Sequence, residues 1–539
     1  MWKLFKLVLT ICLTVFPYAH GLNVVSVIIR GFKWYQYETI APTYDVAFDD
    51  ANVTFPSLTE SVTRRTVFRL GQSNTCDDEA EELHKTLGEL LRVLATLDGP
   101  TVLLTPGCTL MATTLGDLAR ELNLPLIIST AGGATFLDKE RFPTVLSLGY
   151  TDHDSVCEAA VAMLEMYNWT IVSLLCGDLY RFANALTVTA CRTLESRLRQ
   201  QPQTYQVNKI VYDPERTEDL PPMLQSVKFQ SRIIFIYFDM NFLEFFLDTA
   251  TALNMTNGDY VFLLAQSSFF TRANLSRSWA QKPSAKALII YSNVAPNWQL
   301  NSALVDTIIA LSHQRYALNT TIPRDLIANA LNLAAYQAVI CLTMVLNSLF
   351  QVSPTFVRLA SSPGGRYLHE RATEQILQQF RNRTFTLKSG KIFIDASGAR
   401  RVNVQFMRAY EEYRLGWMYD VESATLSRIM AVADLWPLGA SIAPKNSPDC
   451  GFRMDGCPSS SALTRLKSVE AVSSVALVLL VGSLLASPFI YRSLRRRKGI
   501  MDFSDTWWSL ESSQMRNRHA GESERWSNIR QIKDSLVQR

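Results

Sequence analysis

Thr101-Val-Leu-Leu-Thr-Pro-Gly-Cys108, continued by Leu122-Asn-Leu-Pro-Leu-Ile-Ile-Ser-Thr130, is the stretch that decides the fold class of this 539-residue chain. Thr101 to Leu104 predicts a short buried strand, Gly107 to Leu122 a helix, and Leu126 to Ser129 a second strand. Working outward, Asn23 to Gly31 predicts an earlier strand. Cys76 to Leu97 predicts an amphipathic helix, with Leu83, Leu87, Leu90, Leu91 and Leu94 at helical spacing. The order returns downstream: helix over Ser155–Tyr167, strand over Thr170–Leu175, helix over Phe182–Leu198. Then come a strand over Arg232–Phe238, a helix over Asn241–Leu253 and a strand over Tyr260–Leu264. Strands alternating with helices predict an α/β fold of parallel sheets covered on both faces. The length fits two such sheets with a cleft between them. Later, Asp395-Ala-Ser-Gly398 is a turn between the extended Lys391–Ile394 and Arg401–Met407, which predicts a β-hairpin.

The ends of the chain carry different signals. Lys3 and Lys6 precede the apolar Leu7–Phe16, and Ala19-His20-Gly21 supplies small residues for cleavage, so a secretory signal over 1–21 is expected. Ala471 to Tyr491 is a run of 21 residues without a charge. As a helix it covers roughly 31 Å, enough to cross the hydrocarbon layer. Arg492, Arg495, Arg496, Arg497 and Lys498 follow it, which places that end in the cytoplasm. Leu435–Ser461 is rich in Pro, Gly, Ser and Asp and reads as a stalk. The expected organisation is a signal (1–21), a two-lobed extracellular region (22–440), a juxtamembrane stalk (441–470), a membrane helix (471–491) and a cytoplasmic tail (492–539). That is a single-pass type I plasma-membrane protein with its N-terminus outside.

The net charge of +4 is uneven. The signal carries +2 and the tail +5, leaving about −3 on the extracellular part, so the basic balance gives no reason to expect a nucleic-acid partner. Six Asn-x-Ser/Thr acceptors, Asn52, Asn168, Asn254, Asn274, Asn319 and Asn382, all precede the apolar span. Of nine cysteines, Cys12 lies in the signal. The other eight stand where disulfides are permitted, and their pairing does not follow from spacing.

The two opening runs also carry a resemblance, together with Gly258-Asp-Tyr-Val-Phe262, Gly390-Lys-Ile-Phe-Ile-Asp-Ala-Ser-Gly398, Trp436-Pro-Leu-Gly439, Cys450-Gly-Phe452 with Cys457, and Phe489-Ile-Tyr-Arg492. In this order they resemble the ligand domain of animal receptors of the periplasmic-binding-protein type I class. More narrowly, they resemble the extracellular region of receptor guanylate cyclases, the group that includes the natriuretic peptide receptors. The resemblance covers nearly everything from Leu22 to about Trp508. It implies two α/β lobes joined by three crossing strands, dimerisation through the membrane-distal lobe, and a ligand held between or beside the protomers.

Specific residues follow from the resemblance. It pairs Cys76 with Cys108 and Cys450 with Cys457. The natriuretic receptors have a cysteine in the strand matching Arg232–Phe238 and this chain has none, so a second-lobe disulfide and the roles of Cys157, Cys176, Cys191 and Cys341 stay open. Ser73 and the backbone of Gly107 and Cys108 are expected to hold a chloride ion, although Pro106-Gly107-Cys108 also reads as an ordinary capped turn. Thr105 stands where the family usually has Gly. The loop Cys176-Gly-Asp-Leu-Tyr-Arg-Phe182 lies where the family contacts its peptide, so Asp178, Tyr180 and Phe182 are candidate contacts. A rival pocket is Ser129-Thr-Ala-Gly-Gly-Ala-Thr135 at a strand end. By resemblance to amino-acid-binding relatives, Ser129 and Thr130 would meet a ligand carboxylate there, although Gly-Gly-Ala leaves few side chains to specify it.

An enzyme is not expected. A cyclase or kinase-like domain is several times longer than the tail after Tyr491, and no Gly-x-Ser-x-Gly, P-loop or Gly-rich kinase loop is present. His153 and Cys157 share a helix face at i, i+4, but two ligands make no zinc site. The leading expectation is a binding receptor, acting in clearance, as a decoy, or as a homodimer or heterodimer with receptor guanylate cyclases, with no cofactor beyond chloride. Two other readings remain: a truncated form of a receptor guanylate cyclase, for which Trp507-Trp508-Ser-Leu510 resembles the segment before the kinase-like region, and a small-molecule sensor.

Overall fold

A computed structural model describes residues 22–452, apart from 31–36, 60–61, 73–75, 98, 131–133, 178–184, 214, 239, 267–277, 317–323, 353–364, 409, 412–413, 432–435 and 437–442. Val24 and Val25 show how its first half is built. Successive strand side chains point to opposite faces, and these two neighbours enter different cores. They lie in β1 (Leu22–Arg30), between β2 (Val62–Gln72) and β3 (Thr101–Thr105), with β4 (Leu126–Ile128) and β5 (Val145–Ser147) beyond. All four pairings are parallel. β3, β4 and β5 are buried along their whole length, which is why they read as unbroken apolar runs.

One face of this sheet carries α1 (Tyr37–Thr54), and α2 (Cys76–Ala95) and α3 (Thr109–Glu121) cover the other. The expected strand–helix–strand unit at 101–129 is thus present, with the helix beginning two residues late because Gly107 and Cys108 form its approach.

The second half repeats the plan. After α4 (His153–Met166) come β6 (Ile171–Cys176), α5 (Ala185–Arg199), β7 (Gln206–Val211), α6 (Leu220–Lys228), β8 (Ile233–Tyr237), α7 (Leu243–Ala252), β9 (Val261–Ala265) and β10 (Leu288–Asn293). Strands β7-β6-β8-β9-β10 lie parallel in that order. α4 and α5 cover one face, α6 and α7 the other.

The chain then returns to the first half as α8 (Ser302–Tyr316), α9 (Ala330–Val352) and α10 (Gly365–Phe380). α9 is long and apolar enough to cross a membrane, but it is largely buried against α1 and the first sheet, so its composition is weak evidence of a span. The expected span Ala471–Tyr491, the signal over 1–21 and the tail lie outside the described residues.

The late hairpin differs from expectation. β12 (Gly390–Ile394) pairs along its length with β11 (Arg383–Leu387) and only through Phe393 and Ile394 with β13 (Arg400–Arg401). After Arg401 the chain leaves and joins the second sheet as β14 (Val404–Arg408), antiparallel to β10 and extended by β15 (Arg414–Asp420) and β16 (Thr425–Arg428). The extended segment Arg401–Met407 is therefore divided between two sheets.

Residues expected to open the stalk also pack on this second lobe. Trp436 joins Tyr167, Trp169 and Trp417 in one aromatic cluster, with ring centroids 4.9 Å apart for Tyr167–Trp436. The indole of Trp169 donates to the Pro444 carbonyl at 2.8 Å, and the Asn446 side chain accepts from the N–H groups of Thr170 and Ile171 at 2.8 and 2.9 Å.

Candidate functional site at the hinge between the lobes

Three segments cross between the lobes: 148–152 after β5, 294–301 after β10, and 402–403 between β13 and β14. Their contacts converge. The Ser147 N–H donates to Gly398 O at 3.0 Å, the Tyr150 hydroxyl to Val294 O at 2.6 Å, and the Val294 N–H to Asn403 O at 2.8 Å. Asn293 accepts from the Asp152 N–H at 3.2 Å and donates to both Asp152 O and Val402 O at 3.4 Å.

Asp152 is the centre of this cluster. As the N-cap of α4 it accepts the Ser155 N–H at 2.9 Å, which suits the orphan donors of a helix start. Its other oxygen accepts from the Val402 N–H at 3.0 Å and from Arg401 Nε at 3.2 Å. Arg401 spends its remaining nitrogens on Glu158 of α4 at 2.6 Å and on Asp395 of the hairpin turn at 3.4 Å. Burial opposes its charge, but the carboxylates of Asp152 and Glu158 outweigh it and hold the guanidinium above its ordinary pKa. One arginine thus ties an acid from the first lobe's hairpin to acids at the start of the second.

Its neighbour is unlike it. Arg400 is 6% exposed, its guanidinium lies over the Tyr150 ring at 4.5 Å, and its Nη1 has no hydrogen-bond partner among the described residues. Burial depresses its pKa.

The residues singled out in the sequence are distributed as follows. Ser129 and Thr130 are buried at the end of β4, facing inward. The Ser129 hydroxyl shares a 2.7 Å hydrogen bond with Tyr44 and lies 3.3 Å from Thr105 O, and Thr130 donates to the Pro106 carbonyl. Asp178, Tyr180, Phe182 and Ser73 lie outside the described residues.

Gly107 and Cys108 are described, and both N–H groups have protein acceptors. Gly107 donates to Thr105 Oγ1 at 3.1 Å and Cys108 to Glu79 Oε2 at 2.9 Å. Glu79 carries no distinguishing local signal, since it lies three residues past Cys76 among Asp77, Asp78, Glu81 and Glu82.

The cysteines divide clearly. Cys176 and Cys191 form a disulfide with Cα atoms 6.2 Å apart, so a second-lobe bridge exists without a cysteine in β8. The helix α5 brings Cys191 back over β6 instead. Cys108 and Cys450 each take part in a disulfide; the residues the resemblance pairs with them, the Cys76 side chain and Cys457, lie outside the described residues. Cys157 and Cys341 are free and buried, and burial pushes both thiols up to about 12.

Of the glycosylation candidates, Asn52, Asn168, Asn254 and Asn382 are exposed, while Asn274 and Asn319 lie outside the described residues. Asn168, Asn254 and Asn382 each follow a helix and have φ of 52°, 58° and 50°. That left-handed conformation is one asparagine adopts with little strain, so these residues also serve as helix stops.

Two α/β lobes, three crossing segments and an ion-paired hinge thus make up the described framework. Residues 62–407 match the sequence model of the receptor family ligand binding region. The chain belongs to that family. β1, which precedes the matched stretch, lies inside the first sheet between β2 and β3, so the folded domain extends beyond the match at its N-terminal side.

Proposed function

We propose that this chain is a single-pass cell-surface receptor whose extracellular region binds a peptide, and that it acts by binding, in clearance, as a decoy or as a modulatory partner of receptor guanylate cyclases, rather than by catalysis. The match of residues 62–407 to a receptor ligand-binding region carries the reading. The finer resemblance of the Gly390–Gly398 and Cys450-Gly-Phe452 runs to receptor guanylate cyclases supports a peptide ligand. The internal hydrogen bonds of Ser129 and Thr130 weigh against an amino-acid-like ligand, because the hydroxyls that would meet its carboxylate are already engaged.

A ligand that touches both lobes favours the arrangement in which it makes both sets of contacts. Any rotation about the hinge acts on the Asp395–Arg401–Glu158 ion pairs, since their acids belong to different lobes. The test is a cell line expressing the full chain, offered labelled peptide hormones and free amino acids, with surface binding, uptake and cyclic GMP recorded. Saturable peptide binding without a cyclic GMP rise is expected. A ligand-dependent rise in cyclic GMP overturns the non-catalytic reading, and binding confined to amino acids overturns the peptide.

A further inference from the structure

Glu79 is a buried carboxylate with no cation beside it among the described residues. It sits on α2 with 1% exposure. A charge withdrawn from water is costly unless something compensates it. Here the compensation is the start of a helix. Glu79 Oε2 accepts the N–H of Cys108, the N-cap residue of the 13-residue α3, at 2.9 Å. The first N–H groups of a helix are unpaired within it and carry partial positive charge, so a carboxylate there is stabilised.

The neighbouring donor is also taken from within the protein. The N–H of Gly107 is held by Thr105 Oγ1 at 3.1 Å, and the Thr105 hydroxyl in turn donates to Val27 O at 3.0 Å. Space at this turn is tight as well: a Cβ on Gly107 would stand 2.6 Å from Met111 Sδ.

We propose that the Glu79 carboxylate is the resident anion of the α3 N-terminus, tethered through α2, so that this site takes no dissolved halide or small carboxylate. A dissolved anion would have to displace a group already held beside the donor, and would bring a second negative charge next to Glu79. Tethering gives the internal carboxylate a high effective concentration that a free ion must exceed. Removing the side chain removes both obstacles, so a variant without it becomes an anion-binding protein where the wild type is not. Burial pushes the Glu79 carboxyl up to about 7 against the downward pull of the Cys108 N–H, so the carboxylate prevails above that pH, where the experiment is run.

The experiment uses the full chain purified in detergent, as wild type, Glu79→Ala and Glu79→Gln. Thermal unfolding is followed in sodium chloride and in sodium gluconate at equal ionic strength. The wild type is expected to unfold at the same temperature in both salts. Glu79→Ala is expected to unfold lower in gluconate and to recover by about 2 °C or more as chloride is titrated in, with saturation. Glu79→Gln, whose amide oxygen still accepts the Cys108 N–H, serves as the folded control and is expected to show no chloride response. Chloride-specific stabilisation of the wild type overturns the proposal. So does a Glu79→Ala protein that folds and ignores chloride. If Glu79→Ala does not fold, hydrogen exchange at the Cys108 amide of the wild type decides: equal protection in both salts supports the tethered carboxylate, and protection that appears only with chloride refutes it.

Discussion

Arg401 Nε lies 3.2 Å from a carboxylate oxygen of Asp152, across 249 positions of sequence, and this contact joins the last crossing segment to the first turn of the second lobe. The same carboxylate holds the N–H groups of Ser155 and Val402. Asp152→Ala leaves these donors, and the Arg401 Nε, without their acceptor. It is expected to cost ~3–5 kcal/mol in urea unfolding, the range for breaking a buried pair. A loss under ~1 kcal/mol would show that the hinge does not depend on this residue.

Arg400 should behave in the opposite way. Its Nη1 is buried with no acceptor among the described residues, and burial outweighs the pull of Tyr150, Cys341 and Asp152 on its charge. Arg400→Met therefore removes a poorly compensated charge while an apolar chain still faces the Tyr150 ring. An equal or higher unfolding midpoint is expected, with a gain of up to ~1–4 kcal/mol. A clear loss of stability would mean that this guanidinium has a partner in the folded receptor.

The Cys176–Cys191 bridge closes a loop with a sequence separation of 15. Replacing both residues by Ala is expected to destabilise the chain by ~3 kcal/mol, largely by freeing the unfolded state. Cys157 and Cys341, buried with raised thiol pKa values, are expected to resist a maleimide reagent in the native protein and to react after unfolding. Labelling of either thiol at native pH 7 would contradict the packing.

His153 gives the hinge an acid limb. Burial outweighs the attraction of Asp152 and pushes the imidazole down to about 4. An unfolded histidine takes up its proton near pH ~6.5. The stability this group contributes is therefore complete above ~6.5 and is lost as pH falls toward 4. Asp154, pushed up to about 6 first by burial and then by Asp152, works in the opposite sense, losing its contribution as pH rises through 6. The histidine is read from the difference between wild type and His153→Gln. That difference is expected to slope by up to ~1.4 kcal/mol per pH unit between ~6.5 and 4, and a flat difference would refute it.

Asn446 anchors the segment that leaves the second lobe. Asn446→Ala leaves the Thr170 and Ile171 N–H groups without their side-chain acceptor and is expected to cost ~1–3 kcal/mol. Limited proteolysis around 443–452 should become faster while the rest of the domain resists. Unchanged cleavage there would mean that the Trp169–Pro444 contact holds the segment alone.

The alternating apolar runs were legible because a strand covered on both faces must be apolar along its length. β3, β4, β6, β8 and β9 all lie within a residue or two of where the runs place them. Elements with mixed composition were not legible. β2 and β7 carry polar residues, and α9 is apolar all round because it lies inside the first lobe rather than on its surface. The hairpin at Asp395–Gly398 was readable as a turn, but the transfer of Arg401–Met407 to another sheet was not.

By itself the sequence determined an α/β chain of parallel sheets with a receptor-like order of motifs, since local periodicity and turn chemistry depend on near neighbours. Tertiary structure alone decided which distant groups meet. It set Arg401 on Asp152, closed Cys176 on Cys191, turned the Ser129 and Thr130 hydroxyls inward, and put the Glu79 carboxylate at the start of α3. Each is a contact between separate elements, fixed by how the sheets and helices pack, and no local pattern in the chain encodes it.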